Sequence, residues 1–267
     1  MQLHAIRRAI GTAVLAVALA GCGRTADSPS TAASTAQAGS VLALVAASTK
    51  DAVQAIAADF TRETGVEVKI NADDSSKLAT QIVNAAPADV FLSANQKWAD
   101  HVKDQGFGQE AVALLGNTLV IVVPQGNPAK VAKPDDLTAP AVKKVAVAGP
   151  TVPAGIYARQ ALAKLNLWDE LEKAKKIVPG ENVRVTLTYV ELAEVEAGIV
   201  YGTDALISKK IEAAYTFEPT THDKIVYPLA LLKAGEKNEA ARKFYQYLQS
   251  PAAAEAFKKH GFTWLGK

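Results

Sequence analysis

One cysteine, Cys22, is present in the 267 residues, so no intrachain disulfide can form. There is no Gly-rich loop of the Walker type, which leaves any ATP hydrolysis to another protein. There is no G-x-S-x-G elbow of the kind that carries a hydrolase serine. His4, His101, His222 and His260 are far apart in sequence and lack metal-site spacing. An excess of one charge is missing as well. The chain has 29 Lys+Arg against 27 Asp+Glu, and Arg7 and Arg8 fall within the first 22 residues. The rest of the chain is therefore balanced and offers no basic field to nucleic acid or to a membrane surface. An anion bound by such a chain has to be caught by local donors. No run after residue 22 is long and apolar enough to span a bilayer.

The N-terminus carries an address. Arg7 and Arg8 precede an apolar run from Ala9 to Leu19, broken only by Gly11 and Thr12, and Leu19-Ala20-Gly21-Cys22 comes next. That layout predicts a secretory leader over residues 1–22. Small residues directly before a cysteine resemble the bacterial lipobox, which makes Cys22 the lipidation site. Residues 23–40 read as a flexible tether: Asp27 to Ser40 is rich in Ser, Thr, Ala and Gln, with too little bulk to pack. Folded structure is expected from Val41 and spans roughly 225 residues, enough for one large domain or two ordinary ones.

Beyond the tether, strand and helix signals alternate. Val41 to Val45 is an apolar run. Val53, Ile56, Ala57 and Phe60 have the i, i+3, i+4, i+7 spacing of an amphipathic helix, and Val66, Val68 and Ile70 alternate with charged residues as a strand does. Leu119 to Pro124, Val145 to Ala148, Ile199 to Tyr201 and Val226 to Leu232 read as further strands. The repeated β–α order argues for an α/β protein with mainly parallel sheets. The strands at 119–124 and 226–232 are placed so that each could cross between two lobes. This divides the chain into a first lobe, 41–120 plus 228–267, and a second, 121–227, with a ligand cleft between them.

Four places share one grammar, a small or hydroxyl residue and then a helix start: Ala46-Ala47-Ser48-Thr49, Asp73-Asp74-Ser75-Ser76, Val152-Pro153-Ala154-Gly155 and Glu181-Asn182-Val183. A helix start leaves backbone N–H groups without partners, and Pro153 suits the first turn. Such ends hold anions. Tyr201, after an apolar strand and before Gly202, could add a hydroxyl. The pattern suits a tetrahedral dianion held by neutral donors. It supplies no nucleophile paired with a base. Taken singly, each serine is most simply an N-cap and Tyr201 a core residue.

With these segments, Pro87-Ala88-Asp89-Val90-Phe91, Ala94-Asn95-Gln96-Lys97-Trp98, Leu115-Gly116-Asn117 and Phe257-Lys258-Lys259-His260-Gly261-Phe262 complete a set of landmarks. From about Val41 to Trp264 the chain resembles the substrate-binding proteins of bacterial molybdate ABC importers. The resemblance implies the two-lobed periplasmic-binding-protein fold (type II), closing over one molybdate or tungstate. By the same resemblance the anion falls to Ser48, Ser75, Ala154, Val183 and Tyr201, and molybdenum is bound only as its oxyanion. It implies no cofactor and no catalysis, a permease and an ATPase as partners, a monomer, and a periplasmic or cell-surface location with a lipid anchor at Cys22. The alternatives are the same fold with sulfate, phosphate or a small organic anion, a secreted serine hydrolase using Ser48 or Ser75, and a purely structural lipoprotein.

Two features depart from the resemblance. Asp73 and Asp74 precede Ser75 where small neutral residues are expected, and carboxylates beside a dianion are unfavourable unless they turn away or cap the helix. Lys50 and Lys77 flank the first two segments and either could offset the aspartates, although solvation is the default for a lysine. The run Lys173 to Lys176 reads as a solvated helix face, and Trp98, Trp168 and Trp264 as packing residues.

Overall fold

The computed structural model describes residues 39–266. The leader expected over 1–22, the lipidation site Cys22 and the tether up to residue 38 lie outside the described residues. Two sheets carry the architecture. The first contains β1 (Val41–Ala46), β2 (Val68–Asp73), β3 (Val90–Leu92) and β4 (Val112–Gly116). The second contains β5 (Leu119–Pro124), β6 (Val145–Ala148), β7 (Ile177–Gly180), β8 (Ala197–Tyr201) and β9 (Ile211–Thr216). The chain then returns to the first sheet with β10 (Val226–Leu231) and β11 (Thr263–Trp264). The strand orders are β11-β4-β10-β3-β1-β2 and β7-β6-β8-β5-β9.

Both sheets are mixed, which corrects the expectation of mainly parallel ones. β1 runs parallel to β2 and β3, and β6 parallel to β7 and β8. These strands are joined by helical crossovers, which force parallel pairing. β5 is antiparallel to β8 and β9, and β10 to β3 and β4. β5 and β10 begin just after the chain passes from one sheet to the other, so each enters its sheet from the opposite end.

The passages also fall differently from their expected places. β5 belongs whole to the second sheet and β10 whole to the first. The chain crosses at Asn117–Thr118 and again between Phe217 and Ile225, not within the strands. β5 is buried along its whole length between two neighbours. That is why it reads in sequence as a continuous apolar run.

Helix Lys50–Thr64 buries Val53, Ile56, Ala57 and Phe60 and ends at Gly65, whose φ of 72° is left-handed. Only glycine adopts that conformation freely, and it closes the helix. Lys176 corrects the expected solvated run. The helix stops at Lys173, and the Lys176 ammonium donates to the carbonyls of Leu137, Thr138 and Ala139 at 3.3, 2.7 and 2.9 Å. Those oxygens sit at the end of a short 3-10 turn, where a cation is favoured.

The closing helices fold back on the first lobe. Phe244, fully buried in helix Glu239–Tyr247, meets the Phe60 ring at 5.1 Å between centroids. Replacing Phe244 by alanine removes that contact and leaves a cavity. Urea unfolding should show a loss of about 3–5 kcal/mol.

Candidate functional site

The carboxyl ends of β1, β2, β3, β6 and β8 face one cleft between the lobes, the general place for a ligand in open α/β sheets. Ser48, Ser75, Ala154, Val183 and Tyr201 line a single small cavity there. Its volume is about 10 Å3 for the centres of water-sized atoms.

Each residue arrives by a different element. Ser48 lies in the 3-10 turn Ala47–Thr49 that comes after β1. Ser75 is the first residue of helix Ser75–Val83. Ala154 is the second of helix Pro153–Lys164, and Val183 the first of helix Val183–Glu191. Tyr201 ends β8.

The caps decide which N–H groups remain for a ligand. The Asp74 carboxylate accepts from the N–H groups of Ser76 and Lys77 at 3.2 and 3.1 Å. The Asn182 side-chain oxygen accepts from those of Arg184 and Val185 at 3.0 and 3.1 Å. In both helices the cap serves the second and third residues and leaves the first, Ser75 or Val183, with its N–H free of the helix. Helix Pro153–Lys164 has no side-chain cap at all. Its Gly155 is required by space, because a Cβ there would strike the carbonyl oxygens of Ala148 and Gly149 at the end of β6.

Tyr201 is 1% exposed, and its hydroxyl lies beside the Tyr227 phenol but makes no well-aligned hydrogen bond among the described residues. Burial, reinforced by Tyr227, Tyr157 and Asp204, holds its pKa well above the ordinary phenol value. It is therefore a neutral donor. An unpaired buried hydroxyl costs about 1–3 kcal/mol, so this group is one a ligand would satisfy.

The two aspartates are disposed of locally. Asp74 is spent on its helix cap and on the Ser76 hydroxyl. Asp73 accepts from its neighbour's N–H at 2.7 Å and from the Asn182 amide at 3.0 Å. Lys77 is not simply solvated as expected: its ammonium lies 3.2 Å from Glu181 across the cleft and 4.0 Å from Asp73. Lys50 is exposed. Among the described residues, the charged side chains lining the cavity are thus Asp73 and Asp74, and no lysine or arginine enters it.

Several residues not singled out for this role in the sequence join the lobes around the cavity. The Trp98 indole donates to the Thr151 carbonyl at 3.0 Å, so this tryptophan bridges the cleft as well as packing. The Thr151 hydroxyl also meets that of Ser76 at 3.2 Å. Arg184 reaches from the second lobe to Asp51 at 2.7 Å and donates to the Ser48 carbonyl at 3.2 Å. Behind it Asp204, fully buried, lies 2.7 Å from the guanidinium. Charge spacing along the chain gives no sign of this trio: Arg184 and Asp204 meet within the second lobe, and Asp51 joins them from the first.

Burial raises the Asp204 pKa from 3.8 to about 6, with Arg184 opposing the rise. A carboxyl with a raised folded-state value binds more protons folded than unfolded between those limits. Its contribution to stability therefore falls as pH rises through that window and stays low above it. In urea titrations, the stability of the wild type relative to Asp204→Asn should decline from pH 4 to pH 6 by an amount on the order of 2 kcal/mol.

The model of a bacterial extracellular solute-binding protein family matches residues 41–263. The molybdate-binding protein ModA of Escherichia coli (strain K12) is 43% identical over 232 residues, covering 84% of this chain and 89% of that protein. Among solved structures, the Azotobacter vinelandii periplasmic molybdate-binding protein superposes with a TM-score of 0.75 at 21% identity, covering 84% of this chain and 98% of that one. The sulfate-binding protein SubI of Mycobacterium tuberculosis H37Rv superposes nearly as well, with a TM-score of 0.73 at 17% identity, covering 85% and 87%. These two structures establish the two-lobed fold without choosing the ion. With the match over nearly the whole folded part and the identity to the E. coli protein, the chain belongs to the bacterial extracellular solute-binding proteins.

Proposed function

We propose that this protein captures molybdate, and tungstate with it, and hands it to the membrane permease of an ABC importer. The observation that carries the reading is the buried, unpartnered Tyr201 hydroxyl facing the same small cavity as Ser48, Ser75 and the helix starts at Ala154 and Val183. The E. coli relative named for molybdate binding supports the choice of ion.

The donors dictate the chemistry. A tetrahedral dianion loses its hydration on entering a dry cavity. Hydroxyls and first-turn N–H groups replace that hydration, and hydrogen bonds to a charged group contribute about 1.5–3 kcal/mol each. Ser48 and Ser75 come from the first lobe and Ala154, Val183 and Tyr201 from the second, so binding the ion draws the lobes together by hinge closure. Donors at fixed spacing favour the larger molybdate tetrahedron over sulfate. A proton on phosphate would meet donors where it needs an acceptor.

The hydrolase reading finds no base. The Ser48 hydroxyl meets the Tyr227 hydroxyl at 3.0 Å, and the Ser75 oxygen accepts from the Ala94 N–H at 2.9 Å. Burial pushes the Tyr227 pKa far up, so its phenol stays neutral, and a backbone N–H cannot take a proton. On this reading the protein is a carrier and not an enzyme. It acts as a monomer, needs no cofactor, and is held outside the cytoplasm by a lipid on Cys22.

Titration calorimetry of the purified protein should show one molybdate per chain. Tyr201→Phe should weaken binding by about tenfold to a hundredfold, the loss of one such bond. Sulfate or phosphate binding as tightly as molybdate would overturn the proposed selectivity.

A further inference from the structure

Behind the cavity lies a chain of side chains that the ligand contacts do not explain. Asn117 sits at the first passage between the lobes. Its amide oxygen accepts from the Thr118 N–H at 2.9 Å. A backbone N–H can only donate, so this contact fixes which end of the amide is oxygen. The amide nitrogen then has two hydrogens to place. One goes to the Thr203 hydroxyl in the second lobe at 2.9 Å, the other to the Tyr227 hydroxyl in the first at 3.2 Å.

Tyr227 is fully buried, and its hydroxyl has two partners among the described residues, Asn117 and Ser48. The amide nitrogen can only donate, and a hydroxyl that accepts such a hydrogen becomes the better donor, which favours Tyr227 as donor and the Ser48 oxygen as acceptor in a 3.0 Å contact that either hydroxyl could donate. With Tyr227 donating, the Ser48 hydrogen leaves that contact and is available to the cavity. Ser75 is held the same way from its own side, its oxygen taken by the Ala94 N–H.

We infer that Tyr227, set by Asn117, is a positioning residue that makes Ser48 a hydrogen donor to the bound oxyanion and so selects against oxyanions that carry a proton. The inference rests on the reading of Ser48 as a ligand contact. Neither Tyr227 nor Asn117 lines the cavity. Their effect is to fix the direction of a proton one bond away. A free serine hydroxyl can accept as readily as donate, whereas one whose lone pair already receives the Tyr227 proton is biased to donate.

Two substitutions separate this role from simple support of the fold. Tyr227→Phe removes the proton that Ser48 accepts and frees its hydroxyl to turn. Asn117→Asp reverses the relay: the new carboxylate accepts the Tyr227 proton, Ser48 must then donate to Tyr227, and a lone pair faces the cavity. The probes are molybdate itself and, as competitors displacing it, sulfate and phosphate in mildly alkaline buffer. Those two competitors are dianions of similar size, one bare and one bearing a hydrogen, so the ratio of their affinities reads the acceptor character of the site and not its size or charge.

The expected result is a loss of about tenfold in molybdate affinity for Tyr227→Phe. In both variants the sulfate-to-phosphate ratio should shift toward phosphate, more strongly in Asn117→Asp. Thermal unfolding of each variant checks that it is folded. Unchanged ratios in both folded variants, whatever happens to molybdate affinity, would overturn the relay. Ser48→Ala tells the two levels apart. If that variant binds molybdate as the wild type does, the ligand role of Ser48 fails. If it loses binding while both ratios stay fixed, only the relay fails.

Discussion

The site depends on a small asymmetry at helix starts: a side-chain cap satisfies the second and third N–H groups and not the first. Asp74 and Asn182 each do this, and Val152 caps nothing. First-turn N–H groups from three helices therefore point out of their helices near one another. Because the helices come after strands of both sheets, the donors converge only where the carboxyl ends of those strands meet. Nothing in this arrangement requires a positive side chain, and none lines the cavity.

Acidic residues crowd the same region, yet each is committed elsewhere. Asp74 caps a helix, Asp73 holds Asn182, and Asp51 and Asp204 share the guanidinium of Arg184. The same bonds that occupy these carboxylates also cross the cleft. Asp73 to Asn182, Lys77 to Glu181 and Asp51 to Arg184 each pair one lobe with the other. For Asp73 and Asp51, neutralising the acid and fastening the lobes are thus the same contact. The exposed member, Lys77 with Glu181, contributes little by itself, since exposed pairs are screened. Arg184 is better buried than Lys77, and its far side is held by the fully buried Asp204.

Much of the fold was legible because buried strands and amphipathic helices write themselves into composition. Helix Lys50–Thr64 could be read from the spacing of Val53, Ile56, Ala57 and Phe60, and β5 from its unbroken apolar run. β7 (Ile-Val-Pro-Gly) is too short, and β9 (Ile-Glu-Ala-Ala-Tyr-Thr) too weakly patterned, to stand out in the sequence. Strand direction was misjudged because pairing sense depends on how the chain re-enters a sheet, which periodicity does not encode. Lys176, Lys77 and Trp98 were read by default rules for lysine and tryptophan. Partners distant in sequence decided otherwise.

For the site, the helix-start grammar marks four segments and Tyr201, because local backbone chemistry is written in a few consecutive residues, while the choice of Ser48, Ser75, Ala154 and Val183 within those segments comes from the family resemblance. That these five line one cavity is a property of the two lobes together. So is the contact of Asn117 with Tyr227, 110 positions apart, and of Tyr227 with Ser48, 179 apart. Short stretches of residues are enough to say which segments can offer uncharged donors. Which way each hydroxyl hydrogen points, and which carboxylates are withdrawn, is settled by the folded chain alone, because both depend on hydrogen-bond partners supplied from far along the sequence.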